Sequence, residues 1–192
     1  MSAAPAHGST AAGGGDVSFR RATTADADAI AVLVNSAYRG ESSRAGWTTE
    51  ADLLGGQRTD AGEICRLLGM KGSVILLCLA GGEIVGSVHL ERVDAATAYL
   101  GMLVIKPVLQ GRGLGSRFMQ EAEDFAREEW GASSMLMQVI TLRHELIAYY
   151  ERRGYRRTGA IKPFPAADPK FGLPKVAGLH FEVLEKSLPA TT

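Results

Sequence analysis

The segment Gln110-Gly111-Arg112-Gly113-Leu114-Gly115-Ser116 sets three glycines at alternate positions directly ahead of a helical pattern. Glycine lets the backbone come close to a ligand without a Cβ in the way, and it tolerates unusual φ and ψ. The first turn of the helix leaves N–H groups without intrahelical partners, at the positive end of the helix dipole. A diphosphate would accept those hydrogen bonds. A tight strand-to-helix connection would use the same glycines, so the segment alone leaves both readings open. Two other phosphate motifs fail. No Gly-Lys-Ser/Thr is present, which excludes a Walker A loop. Arg117 and Phe118 stand where the third glycine of a dinucleotide fingerprint would be sought, and the strands ahead form a meander instead of a βαβ unit.

A second chemistry-bearing cluster is Ala148-Tyr149-Tyr150-Glu151-Arg152-Arg153-Gly154-Tyr155. Helical periodicity alone would have both adjacent tyrosines pack a helix onto a sheet. Arg112 and Arg117 could add charge near an anion, and the cluster Arg152, Arg153, Arg156 and Arg157 suits a phosphate group as well as a nucleic acid. His89 and Glu91 alternate on one strand face, where Glu91 is a candidate base and a solvated face is the plainer reading. No set of His, Cys, Asp and Glu has metal-ligand spacing, and no metal is expected. Cys65 and Cys78 read as small core residues.

These residues need a scaffold. Residues 17–20 alternate as a strand, and Thr23 with Asp26 three residues on predicts a capped helix with the stripe Ile30, Leu33, Val34, Ala37. Short helices are predicted at about 49–54 and 60–70. Residues 73–80 and 83–92 form a hairpin around Gly81-Gly82, and a third strand covers about 96–105. A helix over 113–130 carries Leu114, Phe118, Ala122 and Phe125 on one face and stops at Gly131. A strand at 135–140, a helix at 145–153, a strand at 155–160, a Pro- and Lys-rich loop at 162–175 and a last strand at 179–184 complete the order. It implies a mixed α+β domain over 17–188 with helices packed on a sheet. Residues 1–16 offer almost nothing to bury and read as a disordered leader or an expression remnant.

At 192 residues, with 46% hydrophobic and 22% charged residues, the chain has the composition of a single soluble domain. Lys+Arg and Asp+Glu are both 21, and this balance argues against a nucleic-acid partner. The apolar run at 74–80 is far shorter than the ~20 residues a spanning helix needs. The N-terminus has no secretory pattern. No membrane partner and a cytoplasmic location are the expectations.

Gln110-x-x-Gly113-x-Gly115 resembles the Q/R-x-x-G-x-G/A motif of the GNAT N-acetyltransferase superfamily, and residues 148–155 look like its second motif. The resemblance spans roughly 17–184 and is strongest over 103–155. It implies a mostly antiparallel sheet whose two central parallel strands splay apart to admit acetyl-CoA. Backbone groups of Leu103, Val104 and Ile105 would meet pantetheine, and amides of Gln110, Gly111, Arg112, Gly113, Leu114, Gly115 and Ser116 would hold the pyrophosphate. Tyr150 falls where the family places a general acid, a phenol able to protonate the departing thiolate. Where some members carry a basic carboxylate, this chain has Gln138 or Tyr99, and where many carry an asparagine it has Arg143. The acceptor side would draw on the first helices and the 162–175 loop, with Tyr38, Trp47 and Phe164 as contacts. The resemblance thus implies transfer of an acetyl group to a primary amine through a ternary complex, and it allows a homodimer. The missing carboxylates keep a non-catalytic acyl-CoA-binding module as the alternative.

Overall fold

In the computed structural model, which describes residues 17–168 and 171–190, the strand Ser73–Ala80 (β3) sorts its side chains between two cores. Ile75 and Leu77 point to one face of the sheet, Leu76 and Cys78 to the other. This is the period of two that a strand buried on both faces must show. The helices Ala27–Tyr38 (α1) and Ala61–Gly69 (α2) cover the first face, while Leu114–Trp130 (α3) and His144–Glu151 (α4) cover the second. The expected leader, 1–16, and Pro169 and Lys170 of the loop lie outside the described residues.

Seven strands form the sheet: Val17–Arg21 (β1), β3, Glu83–Arg92 (β4), Thr97–Ile105 (β5), Ser134–Ile140 (β6), Arg156–Pro163 (β7) and His180–Ser187 (β9). Their spatial order is β1-β3-β4-β5-β6-β9-β7, and every neighbouring pair is antiparallel except β5 with β6. Local chemistry explains the boundaries. Thr23 and Asp26 form a capping box ahead of α1, and the Asp60 carboxylate accepts from the Glu63 N–H to open α2. Gly81 and Gly82 both have positive φ, as a two-residue hairpin turn requires.

Residues 49–54 do not form the expected helix. Leu53 and Leu54 N–H groups both return to the Glu50 carbonyl, which closes a single turn, and Gly56 at φ 75° ends it. Leu54–Gly55 (β2) instead pairs antiparallel with Leu173–Pro174 (β8). This short ladder ties the segment after α1 to the loop before β9. Beneath it Leu54, Ile140, Phe164 and Leu179 form a third, small core.

The feature that positions the site is the parallel pair. β5 and β6 are in register at Thr97 with Ser134, Ala98 with Met135 and Tyr99 with Leu136. No further pairing follows among the described residues, although β5 runs on to Ile105 and β6 to Ile140. A register irregularity opposite Ser87–His89 of β4 bends β5 there. Met102, at φ 47°, is the one non-glycine residue with positive φ among those described. The two strands therefore open a wedge in the middle of the sheet.

Candidate functional site

Two cavities flank that wedge. The first, of about 570 Å³, is lined by Leu103 and Ile105 of β5, by Gln110, Gly111, Gly113, Gly115 and Ser116, by Trp47 and Thr48, and by α4 from Glu145 to Arg153. The second, of about 140 Å³, lies among α1, the 50–58 segment, the open ends of β5 and β6 and three phenylalanines. Leu103, Leu146 and Tyr150 line both.

The glycine segment opens α3 in a conformation that leaves its amides free. Gly111 and Gly113 sit at φ 80° and 78°, in the left-handed region. The Gln110 N–H returns to Pro107 O, and the Ser116 and Arg117 N–H groups return to Gly113 O. Between them, the N–H groups of residues 111–115 have no acceptor among the described residues. Five adjacent unpaired donors at a helix N-terminus make a receptor for phosphate oxygens. The diphosphate reading of these glycines therefore fits, with Gly111, Arg112, Gly113, Leu114 and Gly115 as donors and Gln110 and Ser116 as the fixed ends.

The Gln110 side chain has a separate task. Its amide nitrogen donates to Ile105 O and Thr48 Oγ1, both at 3.0 Å, and its oxygen accepts from the Trp47 N–H at 3.0 Å. It clasps the 46–48 segment to the end of β5. A Cβ on Gly46 would stand 2.7 Å from that amide oxygen, so glycine lets the clasp close without displacing the Gln110 side chain. Just past α4, the Arg153 guanidinium donates twice to Ser116 Oγ, at 2.9 and 2.6 Å, and lies 3.4 Å from the centre of the Tyr149 ring. Arg153 is thus a strut between α4 and the cradle, with Arg152 beside it on the cavity wall.

Tyr150 is buried at the junction of the two cavities, edge-on to Tyr149 at 5.4 Å and to Tyr155 at 5.9 Å. Burial raises its phenol well above the ordinary value, with Tyr38 and Tyr149 adding to the effect. It stays protonated at neutral pH and can serve as a donor. Tyr149 packs against the edge of the core, as its periodicity predicts, and also faces the first cavity. It is half-buried on the first cavity's wall, 4.8 Å from the Trp47 ring and 3.4 Å from Ser116 Oγ. The Tyr38 hydroxyl donates to Leu103 O at 2.8 Å, and burial followed by Glu50 pushes it up to about 12.

A family model described as the acetyltransferase (GNAT) family matches residues 41–155. That segment contains the cradle, both parallel strands and α4. The chain belongs to the GNAT acetyltransferase family. It is 33% identical over 88 residues to a blasticidin-S acetyltransferase of Streptomyces morookaense, a match covering 46% of this chain and 62% of that protein. An N-acetyltransferase of Staphylococcus aureus Mu50 has a similar fold, with TM-score 0.67 at 12% identity over 90% of this chain and 98% of that one. So does the Salmonella typhimurium protein yncA, solved with its cofactor acetyl-CoA, with TM-score 0.65 at 18% identity over 92% and 96%. Among the described residues no helix is long and apolar enough to cross a membrane.

Within this GNAT domain the expected site residues separate. Leu103, Ile105, Tyr150 and the glycines converge on the first cavity, and Tyr38 and Phe164 line the second. Four of the residues singled out in the sequence have other surroundings. Trp47, expected on the acceptor side, lies in the first cavity because Gln110 and Tyr149 hold it there. Val104 lines neither cavity; it pairs with Ser87 of β4 and its side chain is buried under α1. Arg117 lies over the Phe19 ring, away from the cradle. Glu91 pairs with Tyr99, at the closed end of the wedge, and lines neither cavity. Its neighbour His89 is buried and shares a 2.9 Å hydrogen bond with Ser73 Oγ. Gln138 and Tyr99, at the family's carboxylate positions, both line the second cavity, where Glu50 is the single carboxylate among the described residues. The pairing of Glu50 with Arg39 and Arg143 has no local sequence signal.

Proposed function

We propose that this protein is an acetyl-CoA-dependent N-acetyltransferase that acetylates a primary amine by direct attack in a ternary complex. The observation that carries this reading is the meeting of the two cavities at Tyr150 and Leu103, in the opening between β5 and β6. One cavity ends in five unpaired amides suited to a diphosphate. The other approaches the same point from the opposite side. Bound in the first cavity, acetyl-CoA supplies a thioester whose acyl carbon bonds to the amine nitrogen as the C–S bond breaks, the nitrogen losing a proton to water and the sulfur gaining one from Tyr150.

The chain's residues have distinct tasks in this scheme. The amides of 111–115 hold the diphosphate, and Arg152 adds positive charge at the rim. Gln110 fixes the end of β5 so that Leu103 and Ile105 keep their positions. Tyr150 holds a proton at its hydroxyl for the departing sulfur. Tyr38 remains neutral and braces Leu103 O. Acetyl-CoA binding by calorimetry, together with coenzyme A release across a panel of amines, tests the proposal. Binding with turnover of at least one amine is the expected result. Binding with no turnover on any amine would make the protein an acyl-CoA-binding regulatory module instead.

A further inference from the structure

The carboxylates of the 41–52 segment are all engaged by arginines. Glu41 and Asp52 both pair with Arg44 on the surface, at 3.0 and 2.6 Å. Glu50 faces two guanidinium groups, accepting from Arg39 Nη1 and lying 3.6 Å from Arg143 Nη1. Arg58 also lines the second cavity and has no ion-pair partner among the described residues. Three guanidinium groups therefore border this small cavity against one carboxylate. Its electrostatic character is the opposite of a site for a simple cation.

Both arginines keep one buried nitrogen without an acceptor, Arg39 Nε and Arg143 Nη1, but they differ in how many acceptors their other nitrogens reach. Arg39 donates to Phe171 O at 3.2 Å and also reaches Tyr38 O and Glu50, so it pins the 171 loop to the end of α1. Arg143 is held more loosely. Its side chain is 8% exposed, its Nη2 reaches Trp47 O at a marginal 3.4 Å, and its Nη1 is buried without a hydrogen-bond acceptor. A guanidinium withdrawn from water needs an anion and hydrogen-bond acceptors around it, and half of a shared carboxylate supplies neither in full. A planar oxyanion answers the need, since carboxylates accept from the guanidinium fork in matched geometry.

We propose that the acceptor is a small free amino acid, its carboxylate held by Arg143 and Arg58 in the second cavity. The inference rests on reading that cavity as the acceptor side of an acetyltransferase. Phe164, Phe171 and Phe181 line the same space and offer apolar cover for the side chain. At about 140 Å³ the cavity approaches the ~150 Å³ that accommodates benzene, so a free amino acid of few atoms fits. A peptide N-terminus has no carboxylate beside its amine, and its chain would extend past the available space.

The test is calorimetric binding of matched pairs to the full chain loaded with coenzyme A. Each pair is an L-amino acid and the amine made by removing its carboxylate, for example alanine with ethylamine and leucine with isopentylamine. Where a pair binds, the amino acid is expected to bind roughly 10- to 100-fold more tightly, the span of a charge-assisted hydrogen bond pair. Arg143→Met and Arg58→Met should each reduce that preference, with acetyl-CoA affinity unchanged. The wild-type comparison stands even where a variant does not fold. Equal affinity within every pair, no binding by any amino acid, or a preference surviving both substitutions would overturn the inference. Turnover is read separately. Turnover of the amines without preference for a carboxylate leaves the acetyltransferase reading intact, and carboxylate-selective binding without turnover sinks that reading but supports the subsite.

Discussion

At the scale of single residues, the site depends on groups whose environment differs from their sequence surroundings. Tyr149 and Tyr150 are adjacent and chemically identical, yet one lines a wall beside Arg153 and the other is buried where the cavities meet. Because burial raises the Tyr150 phenol, it keeps its proton across the neutral range and contributes no alkaline limb to a rate profile below pH 9. Tyr150→Phe removes one oxygen and conserves shape, so stability should change by less than about 1.5 kcal/mol. Its kcat should fall about 100-fold or more, with the KM for acetyl-CoA nearly unchanged. Stopped assays of coenzyme A release check both. Unaltered kcat in a folded variant would remove Tyr150 from the chemistry. The cradle and Tyr150 were legible because their motifs are local in sequence. The position of Glu91 was not legible because strand register is not local: alternation gives the face, and only the pairing with Tyr99 shows that it sits at the closed end of the wedge.

At the scale of elements, two junctions are open to measurement. Gly113 caps α3 in the left-handed region, where a Cβ costs roughly 1 kcal/mol or more. Gly113→Ala should lower stability by about that amount and, by turning the first free amides, weaken acetyl-CoA binding roughly tenfold. A calorimetric affinity equal to wild type would show that these amides do not hold the diphosphate. The second junction joins α3 to β9. Glu123 is 1% exposed inside the second core, where it accepts from the Tyr155 hydroxyl at 2.9 Å and from Lys186 Nζ at 2.5 Å. Lys186→Met leaves that carboxylate buried without its cation and should cost about 3 kcal/mol. Adding Glu123→Gln keeps an acceptor for Tyr155 and should recover much of the loss, as a urea-denaturation cycle would measure. Helix starts, hairpin glycines and the order of strands were legible because each has a residue-level cause, such as Asp60 at α2 or Gly81-Gly82. Glu123 resembled any charge on an amphipathic helix, since its partners lie 32 and 63 residues away. The two-residue ladder between β2 and β8 is too short to leave a periodic pattern.

At the scale of the whole molecule, two groups on the α1–α2 side of the sheet, His89 and Asp26, respond to acid in the same direction. On the α1–α2 side, His89 is buried beside Ile75's strand and bonded to Ser73 Oγ. Burial, followed by the nearby Arg66, lowers its pKa from 6.5 to about 4. The native state therefore binds fewer protons than the unfolded chain between those values. Stability from this group is complete above about pH 6.5 and is lost as pH falls towards 4. Asp26, held far below the usual carboxylate range chiefly by the Arg20 guanidinium, keeps its contribution above pH 3.8 and loses it only in stronger acid. The unfolding free energy should thus be flat near pH 7 to 8 and fall in two stages. The first stage amounts to about 2–3 kcal/mol by pH 4.5, from a shift near 1.4 kcal/mol per unit. His89→Gln lowers stability at pH 7.5 but cannot titrate, so the difference between urea midpoints at pH 7.5 and 4.5 should shrink sharply. The later stage, below pH 3.8, should persist in that variant and diminish in Arg20→Met. A wild-type midpoint that does not move between pH 7.5 and 4.5 would mean that His89 takes up its proton without strain, and that the α2 side of the core admits water as the sheet charges.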